Sequence, residues 1–383
     1  MVTFSVVVNL LFFSSVAIVL LKYIFKDNKV ILQLDTRFLM ICMLVILCRM
    51  LIPVESPLTN NIAVSRVYPE VYIALKKPII SVLESEISTI QVFKFIWLVG
   101  AIIRLSQLLY SYIRISRTIG ACAEIKNSNM IEILEKVNRQ YKHPVKFRLV
   151  HLEDGSTPCV FGIWKPRIVL TDIEVTEKEL EFIFSHEMGH YYRGDLLIIM
   201  LREIFNAIYW WNPCAYMLND LVAQTQEINV DFGIMRKLSQ TEILDYSTCL
   251  VKVTRAREKS KREERWLMSF QKESTLVLTK RIDLMMDNLG ISTKKTIASV
   301  LTSVLMVSLI AICPNVIIFE PYAIAEEDAG ESGGLRDGKM YYLKVGNNEY
   351  DLYINDEYVL TSEIILDKNI PVYFNVEEDD KGD

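Results

Sequence analysis

Two histidines four residues apart, His186 and His190, enclose Glu187 in the run Ser185-His186-Glu187-Met188-Gly189-His190. On a helix, positions i and i+4 share a face, so both imidazoles can bind one zinc ion. Glu187, one position on, is turned so that its carboxylate can take a proton from an attacking water and pass it to the leaving amine of a peptide. Zinc would polarise the carbonyl and bring the water's pKa to about 7. The chain has four histidines, His143, His151, His186 and His190, and two of them fall in this motif with the right residue between. The bland alternative is a surface helix with two solvated histidines.

A catalytic zinc needs a third protein ligand and an open position. The best candidate is Glu227 in Glu227-Ile-Asn-Val-Asp231, where the acids share a helix face and Asp231 can orient a ligating histidine from behind. Asp195, five residues after His190, is a second such orienting candidate. Spacing alone leaves Glu227 open between a ligand and an ordinary solvated helix glutamate.

The elements that must hold these groups are legible nearby. Thr176-Glu177-Lys178-Glu179 reads as a capping box, and it starts the helix that runs into the histidines. A second helix is expected from about Asp195 to Trp210. Asn212-Pro213 reads as an N-cap with proline in the first turn, starting a third helix that carries Glu227 and Asp231. Upstream, Ser128–Tyr141 has the spacing of an amphipathic helix, and Lys146–Val150 and Arg167–Leu170 read as strands. The stretch Pro158–Leu170, with Val160, Phe161 and Gly162 at its start, reads as an edge strand that could pair with an extended substrate, or as a plain structural hairpin.

Taken together, His186-Glu187-Met188-Gly189-His190-Tyr-Tyr-Arg193-Gly-Asp195, Trp211-Asn212-Pro213, Glu227-x-x-x-Asp231 and the upstream Pro158–Leu170 segment resemble the BlaR/MecR family of membrane zinc metallopeptidases over roughly residues 1–320. That resemblance implies a zincin domain of the gluzincin type. It also implies His186, His190 and Glu227 as ligands of one Zn2+ per chain, Glu187 as catalytic base, and a substrate that is a cytoplasmic repressor of the BlaI/MecI kind or the protein itself.

The chain's 383 residues are 51% hydrophobic and 23% charged, with only 14 glycines and 11 prolines, which excludes disordered and collagen-like classes. The apolar residues come in blocks, with a mean hydropathy of +0.24, as in a membrane protein. The seven cysteines are scattered and form no CxxC pair, so neither a disulfide framework nor a thiolate zinc site is expected. Four transmembrane helices are expected, at about 2–21, 38–54, 90–113 and 296–319, the first also weighed as a signal peptide. Leu196–Trp211 is not counted, because Arg202-Glu203 interrupts it.

The connection with Lys22, Lys26, Lys29 and Arg37 is basic, as are the flanks with Arg114, Arg117, Lys280, Arg281, Lys294 and Lys295. Residues 22–37 and about 114–295 are therefore expected in the cytoplasm, with the N-terminus and tail outside. From Glu320 to Asp383 the balance is 17 acids to 5 bases, a net −12, which leaves +7 on the other residues. Opposite charge on two parts argues for two sides of a membrane rather than for nucleic-acid binding. The expected architecture is a multi-pass α-helical membrane protein with three spans in 1–117, a cytoplasmic α+β peptidase domain at 118–295, a fourth span at 296–319, and an acidic outer tail at 320–383. That tail divides into a linker, 326–338, and a small β module, 340–376.

The β-lactam receptors of the family carry a large outer penicillin-binding domain with an SxxK serine. Here about 64 residues follow the fourth span, and SxxK occurs only at Ser269–Lys272 and Ser292–Lys295, on the cytoplasmic side, so β-lactam acylation is not expected. The basic run Lys252–Arg265 reads as a solvated segment, with a nucleic-acid patch and a self-cleavage loop as the alternatives. Three functions remain in view: a signalling endopeptidase, a housekeeping protease for membrane proteins, and a non-catalytic receptor with a relict zinc fold. The partners are a protein substrate and membrane lipid, and a homodimer is left open.

Overall fold

The computed structural model describes residues 4–34, 36–52, 60–64, 71, 74–75, 78–82, 85–152, 157–260, 275–290, 317–321, 340–344, 350–354, 357–362 and 372–374. The chain forms two compact units, residues 1–60 with 74–318, and residues 61–73 with 319–383.

The larger unit is mostly helical. It opens with α1 (Phe4–Ile24), whose residues carry no charge before Lys22. A short α2 (Asn28–Leu34) and α3 (Thr36–Leu51) follow. After β2 (Pro78–Val82) and β3 (Ser85–Ser88), the chain enters α4 (Thr89–Ala121), whose first turn is tied by the Ser88 N–H donating to the Gln91 side chain at 3.0 Å. α1 and α4 are long and apolar enough to cross a membrane, and α2 with α3 is a third candidate, bent by 89°. The three expected spans at 2–21, 38–54 and 90–113 fall on α1, α3 and α4. Of the fourth, 296–319, only the last three residues are described, in a strand; its remainder, the linker 326–338, both SxxK runs and residues 261–265 of the basic run lie outside the described residues.

The segment after α4 begins with α5 (Ser128–Asn138), whose N-cap Asn127 accepts the N–H groups of Asn129 and Met130. A three-stranded sheet follows: β4 (Arg148–His151), β5 (Cys159–Phe161) and β6 (Arg167–Leu170), in the order β4-β6-β5. β4 runs parallel to β6 and β5 antiparallel, with Val160 opposite Ile168, which leaves β5 as an edge. Then come α6 (Glu177–Arg193), α7 (Asp195–Ile208), α8 (Pro213–Met235), α9 (Gln240–Ser260) and α10 (Thr275–Gly290).

Two apolar cores organise this unit. In the first, α5, the sheet, α6, the C-terminal half of α8, and α9 meet around Phe184, Met188, Ile168 and Tyr246. In the second, α8 contributes Ala215, Leu218, Leu221 and Val222 against Ile18, Leu21, Leu39 and Met43 of α1 and α3. One helix, α8, thus serves both cores, and Glu227 lies where they join.

The smaller unit takes in most of β1 (Asn60–Val64) and the end of β7 (Ile317–Pro321), which pair with each other. It also contains β8 (Met340–Lys344), β9 (Tyr350–Ile354), β10 (Glu357–Ser362) and β11 (Val372–Phe374). These last four form one sheet in the order β10-β9-β8-β11, with Tyr341 stacked on Tyr353 at 5.2 Å.

Candidate metal centre

The helix bearing both histidines is fixed at each end. Thr176 Oγ1 accepts the Glu179 N–H at 3.3 Å and Glu179 Oε2 accepts the Thr176 N–H at 2.7 Å, so two otherwise unpaired donors of the first turn are satisfied. At the other end Gly194 adopts φ 77°, in the left-handed region that favours glycine, and its N–H reaches back to His190 O and Tyr191 O. α7 starts at the next residue. This one-residue corner brings Asp195 against the last turn of α6.

Three donor groups converge. His186 Nε2 and His190 Nε2 lie 3.1 Å apart. Glu227 Oε2 is 3.4 Å from His186 Nε2, and Glu227 Oε1 is 3.6 Å from His190 Nε2. A tetrahedral ion with bonds of about 2.0–2.1 Å has ligands about 3.3–3.4 Å apart, so the three groups fit one small divalent cation. The close approach of α6 and α8 depends on Gly189, where a Cβ would come within 2.9 Å of Val230 Cγ1.

Each imidazole is held from behind. His190 Nδ1 lies 2.8 Å from Asp195 Oδ2. His186 Nδ1 lies 2.9 Å from Tyr246 Oη and 3.5 Å from Asp231 Oδ1. Tyr246 Oη donates to Asp231 Oδ1 at 2.7 Å. These contacts leave both Nε2 atoms facing Glu227. Asp195→Asn should therefore weaken metal retention by about 10–100-fold, read by competition with a graded series of chelators.

Arg281 of α10 completes the arrangement. Its Nε and Nη2 donate to Asp231 at 2.7 and 2.8 Å, and its Nη1 lies 3.0 Å from Glu227 Oε2. Both Arg281 and Asp231 are fully buried. Burial resists ionisation of Asp231, but Arg281 and the hydrogen bond to His186 overcome it and hold the carboxyl at about 2. Glu227 lies well below the carboxylate range for the same kind of reason: burial is outweighed by Arg281, His190 and His186. Burial likewise opposes charge on His186, yet the Asp231 and Glu227 hydrogen bonds push its pKa up to about 10. The pocket thus favours positive charge at its centre. Because protons compete for the same nitrogens, metal retention should rise between about pH 6 and about pH 8, measured by chelator competition at both values.

Glu187 is buried, and its Oε2 accepts the Val160 N–H of edge strand β5 at 2.9 Å. Burial raises its pKa against the opposing pull of His186 and His190. Phe161 follows in the strand, and Gly162 turns the chain out of it at φ 93°, where a Cβ would meet Lys165 O at 2.9 Å.

The structure brings His186, Glu187, His190, Asp195, Glu227, Asp231 and Val160 into one cluster. Sequence reasoning overlooked Tyr246 and read Arg281 as a basic flank of a span. The available signal for Arg281 was its helical spacing to Leu278, Leu284 and Met285, which sets a charge on the apolar face of its helix.

Residues 2–285 match the family model described as BlaR1 peptidase M56. Among curated proteins, the chain is 24% identical over 170 residues to the regulatory protein BlaR1 of Bacillus licheniformis, covering 44% of this chain and 28% of that one. It is 25% identical over 161 residues to the methicillin resistance mecR1 protein of Staphylococcus aureus strain Mu50, covering 41% and 27%. The chain thus aligns with little more than a quarter of the length of these relatives.

Proposed function

Because the chain belongs to the BlaR1 peptidase M56 family, we propose that it is a membrane zinc endopeptidase that transduces a signal by cutting a cytoplasmic repressor of the BlaI/MecI type or itself. The observation that carries this reading is the spacing of His186 Nε2, His190 Nε2 and the Glu227 carboxylate, which matches the edges of a zinc tetrahedron.

His186, His190 and Glu227 hold the ion. Zinc in such a setting supplies Lewis-acid polarisation of a peptide carbonyl and acidifies water. Glu187 is the catalytic base: its burial keeps a proton acceptor poised closer to neutrality than a solvated glutamate, and the Val160 N–H fixes its orientation. It takes the proton of the attacking water and returns it to the departing amine. Asp195 and Asp231 fix the imidazole rings. The outer edge of β5, where Glu187 already engages the Val160 N–H, is the strand along which an extended peptide aligns its scissile bond. The peptidase domain faces the cytoplasm in this reading, with residues 320–383 outside.

Metal analysis of the detergent-purified full chain tests the premise, with about one zinc per chain expected. A metal-free preparation that still cleaves protein substrate would overturn it. Removing residues 320–383 should abolish signal-dependent control of cleavage; cleavage that follows no outer signal and is unchanged by the removal would favour a housekeeping protease.

A further inference from the structure

We propose that α7 and α8 form a helical hairpin that enters the bilayer from the cytoplasmic side, with the metal centre at its mouth. The proposal rests on the reading of α1, α3 and α4 as membrane spans, and it needs no assumption about catalysis.

Three contacts lay the hairpin along the whole of α3. At the start of α3, Thr36 Oγ1 donates to Asn229 Oδ1 at 2.6 Å; midway, Met43 Sδ receives the Thr225 hydroxyl at 3.6 Å; at its end, Met50 O accepts the Tyr209 hydroxyl at 2.6 Å. α8 therefore runs antiparallel to α3, and the Tyr209–Asn212 turn sits at the end of α3 remote from Asn229. The other arm lies on α4: Trp97 Nε1 donates to Ile208 O at 2.9 Å, and Trp210 Nε1 donates to Trp97 O at 3.3 Å. A segment lying between helices that cross a bilayer, and as deep as one of them, shares their solvent.

The outward face of α7 has the composition that lipid requires. Leu197, Met200 and Ile204 are 58%, 42% and 38% exposed and form one stripe, which Trp211 continues at 48%. The charges that interrupt the apolar run are elsewhere. Arg202 is buried and donates to Gln226 Oε1 at 3.1 Å, while Gln226 Nε2 donates to Asp195 O at 3.1 Å. Glu203 is partly buried. α7 is thus apolar on its outer face and turns Arg202 inward, among Ile198, Leu201 and Phe205, unlike an amphipathic helix in water. Asp220 of α8 is the exception, an exposed charge on the hairpin.

The turn also meets the demand of a medium without water. Asn212 N–H donates to Tyr209 O at 2.9 Å, the Asn212 side chain accepts the Cys214 N–H at 2.9 Å, and the Tyr216 hydroxyl donates to Trp210 O at 2.8 Å. With 14 residues against 16, α7 is about 21 Å long beside about 24 Å for α3, so the hairpin reaches the depth of that helix and returns, leaving both its ends, Asp195 and Glu227, on the side it entered. Sidedness is unchanged. His190 and Glu227 then lie where lipid meets cytoplasm, and a substrate reaches them along the membrane surface.

Spin labels at single cysteines replacing Leu197, Met200 and Ile204, in the full chain reconstituted in phosphatidylcholine–phosphatidylglycerol liposomes, test this. Phe95 on α4 serves as the lipid reference and Lys178 as the aqueous one. Collisions with dissolved oxygen should exceed those with an aqueous nickel chelate severalfold at all three sites, as at Phe95, and the ratio should invert at Lys178. Nickel-accessible labels on α7 with an oxygen-favoured Phe95 would overturn the hairpin and leave the spans standing; aqueous behaviour at Phe95 as well would overturn the span reading beneath it. Spin–spin broadening that disappears on dilution with unlabelled chain would assign the face to a second copy and so overturn lipid contact. Quenching by bromine-labelled lipid chains gives a readout that keeps the native cysteines: the emission lost in Trp211→Phe should be quenchable, as that of Trp97 on α4 should be, and an unquenched Trp211 contribution counts against insertion.

Discussion

Glu187→Gln is expected to abolish peptide cleavage while the chain keeps its metal. The substitution preserves the shape of a buried side chain and removes its capacity to accept a proton. Loss of a positioned general base costs about 10²–10⁴ in rate. The amide oxygen of the variant can still accept the Val160 N–H, so β5 and α6 stay joined. His186, His190 and Glu227 are untouched, and metal content should match wild type. The measurement is single-turnover cleavage of a purified repressor-type substrate beside metal analysis of the same preparation. Equal cleavage by the variant removes Glu187 from the mechanism; lost metal would mean that it acts through the ion's ligands instead.

Arg281→Leu is the second large effect. One guanidinium faces the buried carboxylate of Asp231 and the partly buried one of Glu227, bonding Asp231 through two nitrogens and Glu227 through the third. Removing one partner of such a buried cluster leaves uncompensated charge and costs about 3–5 kcal/mol. Thermal unfolding of the detergent-solubilised chain should show it. The pH dependence has a definite sign. Asp231 is held at about 2 in the folded chain, below its ordinary value, so its contribution is complete above the unfolded carboxylate pKa and fades as the pH falls towards about 2. Without Arg281 the acid limb of the stability curve should move upward. Arg281→Lys keeps the charge but loses the forked geometry, and intermediate stability with weakened chelator resistance is expected. Wild-type stability in Arg281→Leu would refute this account of the cluster.

Local rules explain what could be read before any coordinates. The capping box at Thr176 and the Asn212-Pro213 start satisfy backbone donors within a few residues, and both appear where expected. Strand Arg167–Leu170 is bounded by its own turn chemistry. The His186–His190 pairing follows from helix periodicity alone. The hydropathy runs at 2–21, 38–54 and 90–113 coincide with helices because length and apolarity are properties of contiguous sequence. What stayed illegible depends on which way a side chain faces after packing. Arg202 breaks an apolar run on paper, yet it points inward to Gln226. Arg281 resembles a membrane flank until α10 folds it onto α8, and Tyr246 reaches His186 across 60 residues of chain.

Gly189 carries a consequence of its own. Its missing side chain lets Val230 press against α6, and that crossing sets how far Glu227 stands from the two imidazoles. A methyl group there would wedge the helices apart by a few tenths of an ångström and widen the cage without removing a ligand. A wider cage suits ions larger than zinc, such as manganese or cadmium, so this one absent carbon works as a gauge for ionic radius.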